Sequence, residues 1–161
     1  MADYKVYLDD GIFDIRNGKF EDAVEKINKS IELKNDWEIP YFYRAVAYHA
    51  LENYDEAMLD YTKSIQLNPN MTDAYYNRAK IILSESNSPM SEIKKAVADL
   101  EKALELDDKF VDALFAMAAA YKKLGEYHKS LEYLEKLLQI TPDAVHAKAL
   151  KKLILQKYVV G

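Results

Sequence analysis

Ala23 recurs as Ala57 and Phe20 as Tyr54, both after 34 residues; Ala57 then recurs as Ala96 after 39, and Ala96 as Ser130 after 34 again. A period of this size means a fold built from copies of one supersecondary unit, because a single unit cannot bury its own apolar face and must stack on its neighbours. The copies are legible as "NGKFEDAVEKINKSIEL" (17–33), "ENYDEAMLDYTKSIQL" (52–67), "EIKKAVADLEKALEL" (92–106) and "GEYHKSLEYLEKLLQI" (125–140). Each is preceded by a second helical stretch, "VYLDDGIFDIR", "PYFYRAVAYHAL", "AYYNRAKIIL" and "ALFAMAAAYKKL", with small residues in register at Gly11, Ala45, Ala79 and Ala118. Small residues at matching points on both halves (Ala23, Ala57, Ala96 and Ser130 on the second) let two helix backbones approach closely. The pattern therefore predicts four antiparallel helix pairs, the third carrying five extra residues.

Composition narrows what such a stack can do. With 22 basic and 27 acidic residues the chain has a net charge of −5, which argues against replacing phosphate counterions along a nucleic acid. There is no cysteine, hence no disulfide framework, thiolate nucleophile or Cys-based metal site. The start, "MADYKVYLDDG", has neither a basic nor an apolar segment of a signal peptide, and no apolar run approaches a membrane span of about 18 residues. The expectation is a soluble, cytoplasmic protein without membrane insertion.

The repeat resembles the tetratricopeptide repeat (TPR) family, a 34-residue helix-turn-helix with a W-x2-L-G-x2-Y, A-x3-F, P pattern. The second repeat matches at Tyr41, Ala45, Tyr48, Ala57, Tyr61 and Pro69, and the fourth at Leu114, Ala118, Tyr121, Ser130, Leu134 and Pro142. The resemblance implies an all-α fold, a right-handed α-solenoid of antiparallel helix pairs. It implies one TPR domain over 1–161, with repeats at about 4–37, 38–71, 72–110 and 111–144 and a capping helix at about 144–159. Three departures stand out: Asp10 and Asp14 replace Leu and Tyr in the first repeat, Asn35 and Asp108 replace the terminal Pro, and Leu137 stands where the other repeats have Ser30, Ser64 and Ala103.

The last helix, "AVHAKALKKLILQKYVVG", spaces Ala147, Leu150, Leu153 or Ile154, and Tyr158 along one side and carries four Lys and no acid. It reads as the solvating cap of repeat four. The insertion around "SESNSPMSE" reads as an early start of the third repeat's second helix, with Ser88 as N-cap and Pro89 in the first turn.

Catalytic signals are absent from the sequence. His49, His128 and His146 lie in different repeats without a second His at i+3 or i+4, and no phosphate-binding, dinucleotide or nucleophile-elbow motif is present. The chain is expected to be no enzyme and to need no metal or cofactor. The family's binding surface is the groove lined by the first helix of each pair. By register, the resemblance assigns to it Leu8, Ile12 and Ile15 in repeat one and Phe42, Tyr43, Val46 and His49 in repeat two. Tyr76, Asn77 and Lys80 follow in repeat three, with Phe115, Ala119 and Lys122 in repeat four. Because Phe42 and Tyr43 are adjacent, they cannot share one side of a helix, so the run Tyr41–Phe42–Tyr43 exceeds one packing face.

"YYNRA" (75–79) also resembles TPR domains that clamp a C-terminal carboxylate, with Asn77 at one clamp Asn. The other clamp positions hold Phe42 and Val46 one repeat earlier and Asp112 and Ala116 one repeat later, and Asp112 would repel a bound carboxylate. The resemblance implies a non-catalytic adaptor or scaffold for a peptide or helix of another protein. A chaperone shielding an apolar client segment and a self-associating scaffold are the alternatives.

Overall fold

The computed structural model describes residues 3–159. Among them the chain forms α1 (Tyr4–Arg16), α2 (Phe20–Leu33), α3 (Glu38–Ala50), α4 (Tyr54–Leu67), α5 (Thr72–Ser84), α6 (Met90–Leu106), α7 (Val111–Lys123), α8 (Tyr127–Ile140) and α9 (Val145–Ile154). A π-helical turn, Leu155–Val159, follows, and no strand occurs among the described residues. The fold class is the all-α solenoid of helix pairs. The chain divides into two compact units, Met1–Ile81 and Ile82–Gly161.

In the first unit α1 pairs with α2, α3 pairs with α4, and α2 packs on α3. The crossings fall on the small residues that the register predicts: Gly11, Ala23, Ala45 and Ala57 are buried. A Cβ on Gly11 would lie 2.5 Å from Ile27 Cγ1, so the α1–α2 approach depends on its absence. Ala45, Ala57, Tyr61, Ala74 and Ile81 form one core, against which Phe42, Val46 and Met71 pack half-buried.

Two polar ties hold the helix pairs in register. Asp14, in an aromatic position of the repeat pattern, is buried and ion-paired with Lys26 of α2. That hydrogen bond is the main reason the Lys26 ammonium titrates above its ordinary range. The second tie joins three helices. Arg44 of α3 donates from Nε and Nη2 to the two carboxylate oxygens of buried Asp60 in α4, at 2.6 and 2.8 Å, and from Nη1 to Asn28 Oδ1 of α2 at 2.7 Å. Burial alone would lower the Arg44 pKa, but the hydrogen bonds and charge of Asp60 raise it. Arg78, 34 residues on, donates to Thr62 Oγ1 at 3.0 Å, reaching the matching position on the preceding second helix.

The three-residue turn inside the first, second and fourth pairs carries one left-handed residue. Gly18 (φ 72°) and Gly125 (φ 77°) supply it in the first and fourth repeats, whereas the second uses Glu52 at φ 61°. A left-handed conformation costs an L-residue about 1–2 kcal/mol, while glycine adds up to about 1 kcal/mol of unfolded-chain entropy. Glu52→Gly is therefore expected to raise stability by up to about 1 kcal/mol. Thermal unfolding should show a melting point about 2–4 °C higher for each kcal/mol gained, and a lower melting point would contradict this reading of the turn.

In the second unit α6 packs on α7, α7 pairs with α8, and α9 covers α8. Leu114, Ala118, Leu134 and Leu137 share one core with Ala147 and Ile154 of α9, so the bulky Leu137 meets the last helix. Ser130 fits the fourth small position because its hydroxyl donates to the Ala118 carbonyl at 2.6 Å inside the core. The insertion resolves into three more residues in α6, which has 17 against 14 in α8, and a longer turn before it. Ser88 is not the cap expected from the sequence. Its hydroxyl turns back to donate to the Ile82 carbonyl at 2.6 Å, and Pro89 occupies the N-cap position with extended ψ of 149°.

Candidate functional site

The surface residues of α3 and α5 in the first unit meet around Phe42 and Tyr43. Both side chains are half-buried, and their rings contact edge to face at 5.3 Å between centroids. Phe42 also leans on the ring of Tyr61, at 5.9 Å, and so sits at the boundary between core and surface. With Ile39, Asn70, Met71, Thr72 and Asp73 the pair lines a depression of about 350 Å³ where α3 faces the start of α5. Ile39 stands one helical turn before Tyr43, a spacing present in the sequence but not singled out there. Asn70 and Met71 come from the loop entering α5, where helix periodicity gives no signal.

Further along α3, Val46 is half-buried against the same core as Phe42. His49 is half-buried and lies edge-on to Tyr54 at 5.8 Å. Burial first, and then the charge of Lys80, hold its pKa below the ordinary imidazole value, so it is neutral at pH 7. The structure thus brings His49 and exposed Lys80 into one electrostatic neighbourhood. Asn77 is committed elsewhere: it is hydrogen-bonded to the hydroxyl of buried Tyr61, whose pKa burial pushes far up. Recruiting Asn77 for a ligand would leave that hydroxyl buried without its partner, at a cost of about 1–3 kcal/mol.

Tyr76, Ile12 and Ile15 are half-buried. Leu8 departs from expectation. At 3% exposure it is a core residue and offers a ligand no surface, because it lies one helical turn before Gly11 on the side of α1 that faces α2. In the second unit Phe115 packs at the edge of the Leu114–Leu134 core, and Ala119 and Lys122 are half-buried. Lys123 donates to the Glu85 carbonyl at 2.8 Å.

A larger hollow, about 640 Å³, lies between α6 and α8, and none of its lining residues is among those the family register assigns to the groove. Its apolar floor of Leu104, Leu114, Tyr133 and Ile140 is ringed by Glu101, Glu105, Asp108, Lys109 and Lys136. The Phe42–Tyr43 depression is smaller and carries one carboxylate, Asp73, with the polar Asn70 and Thr72 beside its apolar Ile39, Phe42, Tyr43 and Met71. Among the described residues no group of three His, Asp or Glu side chains is placed to hold a metal ion, and no helix is long and apolar enough to cross a membrane.

With this geometry in view, comparison with known proteins is informative. The profile of the tetratricopeptide repeat matches residues 40–71, and that of the Fis1 C-terminal tetratricopeptide repeat matches residues 111–159. Mouse sperm-associated antigen 1 (Mus musculus) is 36% identical over 60% of this chain and 10% of its own length. The TPR repeat-containing protein MJ1428 of Methanocaldococcus jannaschii is 27% identical over 82% of this chain and 22% of its own. The chain thus spans about a tenth of the first of these relatives and about a fifth of the second. Among solved structures, MamA 41-end from Desulfovibrio magneticus RS-1 superposes with a TM-score of 0.86 at 19% identity, covering 95% of this chain and 84% of that one. The first TPR of Spaghetti (RPAP3) bound to the HSP90 peptide SRMEEVD superposes at 0.67 and 22% identity, covering 74% and 90%. At such identities the structures speak for the fold alone. The repeat register, the two profiles and the relatives make this chain a member of the tetratricopeptide repeat family.

Proposed function

We propose that this chain is a non-catalytic adaptor whose first unit captures an apolar or amphipathic segment of another protein on the face formed by α3 and α5. TPR proteins in general mediate protein–protein interactions. The finer reading rests on one observation, the half-exposed Phe42–Tyr43 pair over the depression completed by Ile39 and Met71. Such a pair presents rigid aromatic surface without needing to be ordered on binding, which is how a few anchors come to dominate an interface. Ile12, Val46 and Tyr76 would extend the apolar contact, and His49 and Lys80 would set its polar end. Phe115 and Lys122 are the matching candidates on the second unit.

The RPAP3 repeat of similar fold holds a peptide, which supports peptide capture as the mode. Its chemistry is a different matter. Asn77 is held by Tyr61, and Phe42 and Val46 stand in clamp positions, so the segment is read here through apolar side chains and not through a terminal carboxylate.

Tyr43→Glu should weaken partner capture about thirtyfold, equivalent to roughly 2 kcal/mol, while leaving the helical circular dichroism spectrum intact. The assay is co-purification from native lysate with the wild type as reference, followed by titration of the recovered partner. Normal affinity in a folded Tyr43→Glu chain would remove this face from consideration. Lys80→Glu should matter less and mainly at low salt, as an exposed charge is screened within about 10 Å at 0.1 M.

A further inference from the structure

In every helix that packs on a preceding pair, three residues spaced i, i+4, i+7 form the stacking edge. They are Pro40–Arg44–Ala47 in α3, Ala74–Arg78–Ile81 in α5, Ala113–Met117–Ala120 in α7 and Ala147–Lys151–Ile154 in α9. The outer two of each trio are buried. In three of the four, the middle residue reaches sixteen residues back to the second helix of the preceding pair: Arg44 to Asn28, Arg78 to Thr62, and Lys151 to Glu135 at 3.3 Å. The same register on α1 gives Val6–Asp10–Phe13. Here the outer two are large apolar residues and are 56% and 64% exposed. Asp9 and Asp10 lie between them, both exposed.

The first repeat therefore carries the stacking edge of an internal repeat, with larger apolar side chains than the buried examples and an acidic centre. Whatever covers it must present apolar contacts on either side of a basic one. The outward face of α9 has that chemistry. Val145 and Leu153 are 73% and 43% exposed, with Lys148 and Lys152 exposed between them and no acidic residue on the helix. Among the described residues Lys148 makes a loose 3.7 Å pair with exposed Asp143. The alternative of two α1 helices docking about a two-fold axis is disfavoured by charge. The midpoint of Val6 and Phe13 falls on Asp9 and Asp10, so four carboxylates would converge at the axis.

We propose that a second copy of this chain covers this edge, its α9 laid on α1 with Lys148 and Lys152 facing Asp9 and Asp10 and with Val145 and Leu153 facing Phe13 and Val6. This contact is heterologous: each copy offers one donor face and one acceptor face, so copies add head to tail, into open chains or rings of more than two copies, rather than into a two-fold dimer. It uses surfaces distinct from Phe42 and Tyr43 and does not depend on their role.

Sedimentation velocity over a wide concentration range tests it. The wild type should show a weight-average mass that climbs with concentration past two copies and falls back in high salt. Phe13→Glu and Lys152→Glu, both at exposed positions, should each raise the concentration needed for association by at least about tenfold without altering the helical spectrum. An equimolar mixture of the two should form a one-to-one dimer and stop there, since each variant retains one working face. Asp10→Lys combined with Lys152→Asp in a single chain should restore association. A wild type that stays monomeric throughout overturns the proposal. So does association that stops at a dimer, or that Phe13→Glu abolishes and Lys152→Glu leaves untouched, because either result puts α1 against α1 or against another surface.

Discussion

Replacing Arg44 by Leu is expected to destabilise the first unit by about 3 kcal/mol. The guanidinium is the bidentate partner of Asp60, a carboxylate buried between α3 and α4, and it also holds Asn28 of α2. Removing one partner of a buried ion pair leaves an uncompensated charge, with a typical cost of about 3–5 kcal/mol. The lower end applies because the Arg44 side chain keeps 20% of its exposure. Removing both partners should cost less than removing one: Arg44→Leu with Asp60→Leu abolishes the charge together with its mate. Chemical denaturation of the two single variants and the double variant supplies the cycle. Additive losses would mean that Arg44 acts through its stacking on Tyr41 and Tyr48, 5.7 and 5.9 Å away, and not through Asp60.

Ala57→Leu is expected to cost up to about 3 kcal/mol. Ala57 and Ala45 are both fully buried within one core with Tyr61, so the added branch has no space unless α3 and α4 separate. Since a separation at one crossing also displaces Phe42 and Val46, partner capture should fall with stability. Leu59→Ala on the same helix is the control. That side chain is 72% exposed, and its loss should change stability by no more than about 0.5 kcal/mol. An unchanged melting point for Ala57→Leu would refute the register of small residues that underlies the fold.

That register was legible because small residues at a helix crossing tolerate almost no substitution, which leaves Gly11, Ala23, Ala45, Ala57 and Ala118 visible on a fixed period. Even Ser130 obeyed the rule, its hydroxyl satisfied by the Ala118 carbonyl. The polar tie has a signal in the sequence, since Arg44 and Arg78 recur 34 residues apart as the buried alanines do. Charge on a helix reads as a solvated face until the neighbour on the next repeat is known. Asp14 was flagged as a departure, but nothing in the sequence near it names Lys26, twelve residues away, as the partner that makes its burial tolerable.

The binding face was legible only in part. Periodicity kept the adjacent Phe42 and Tyr43 on different sides of α3, whereas their rings touch at 5.3 Å and line one depression; nor can it say whether an apolar residue of the first helix in a pair meets a ligand or the next helix. Leu8 went to the core and Asn77 to Tyr61 for that reason. The exposure of Val6 and Phe13 was equally hidden, because the same positions are buried in every later repeat.

Site-specific photocrosslinking in native lysate tests the adaptor reading most directly. A photoreactive phenylalanine placed at Tyr43, beside the depression, is compared with one at Leu59, an exposed position on α4 away from it. Both positions tolerate an aromatic side chain without entering the core. A partner held on the α3–α5 face should crosslink to position 43 as a discrete band, leave position 59 unlabelled, and be lost when Phe42→Glu is added. A discrete band from position 59 with none from position 43 would place the partner on the other side of the helix pair and contradict the account.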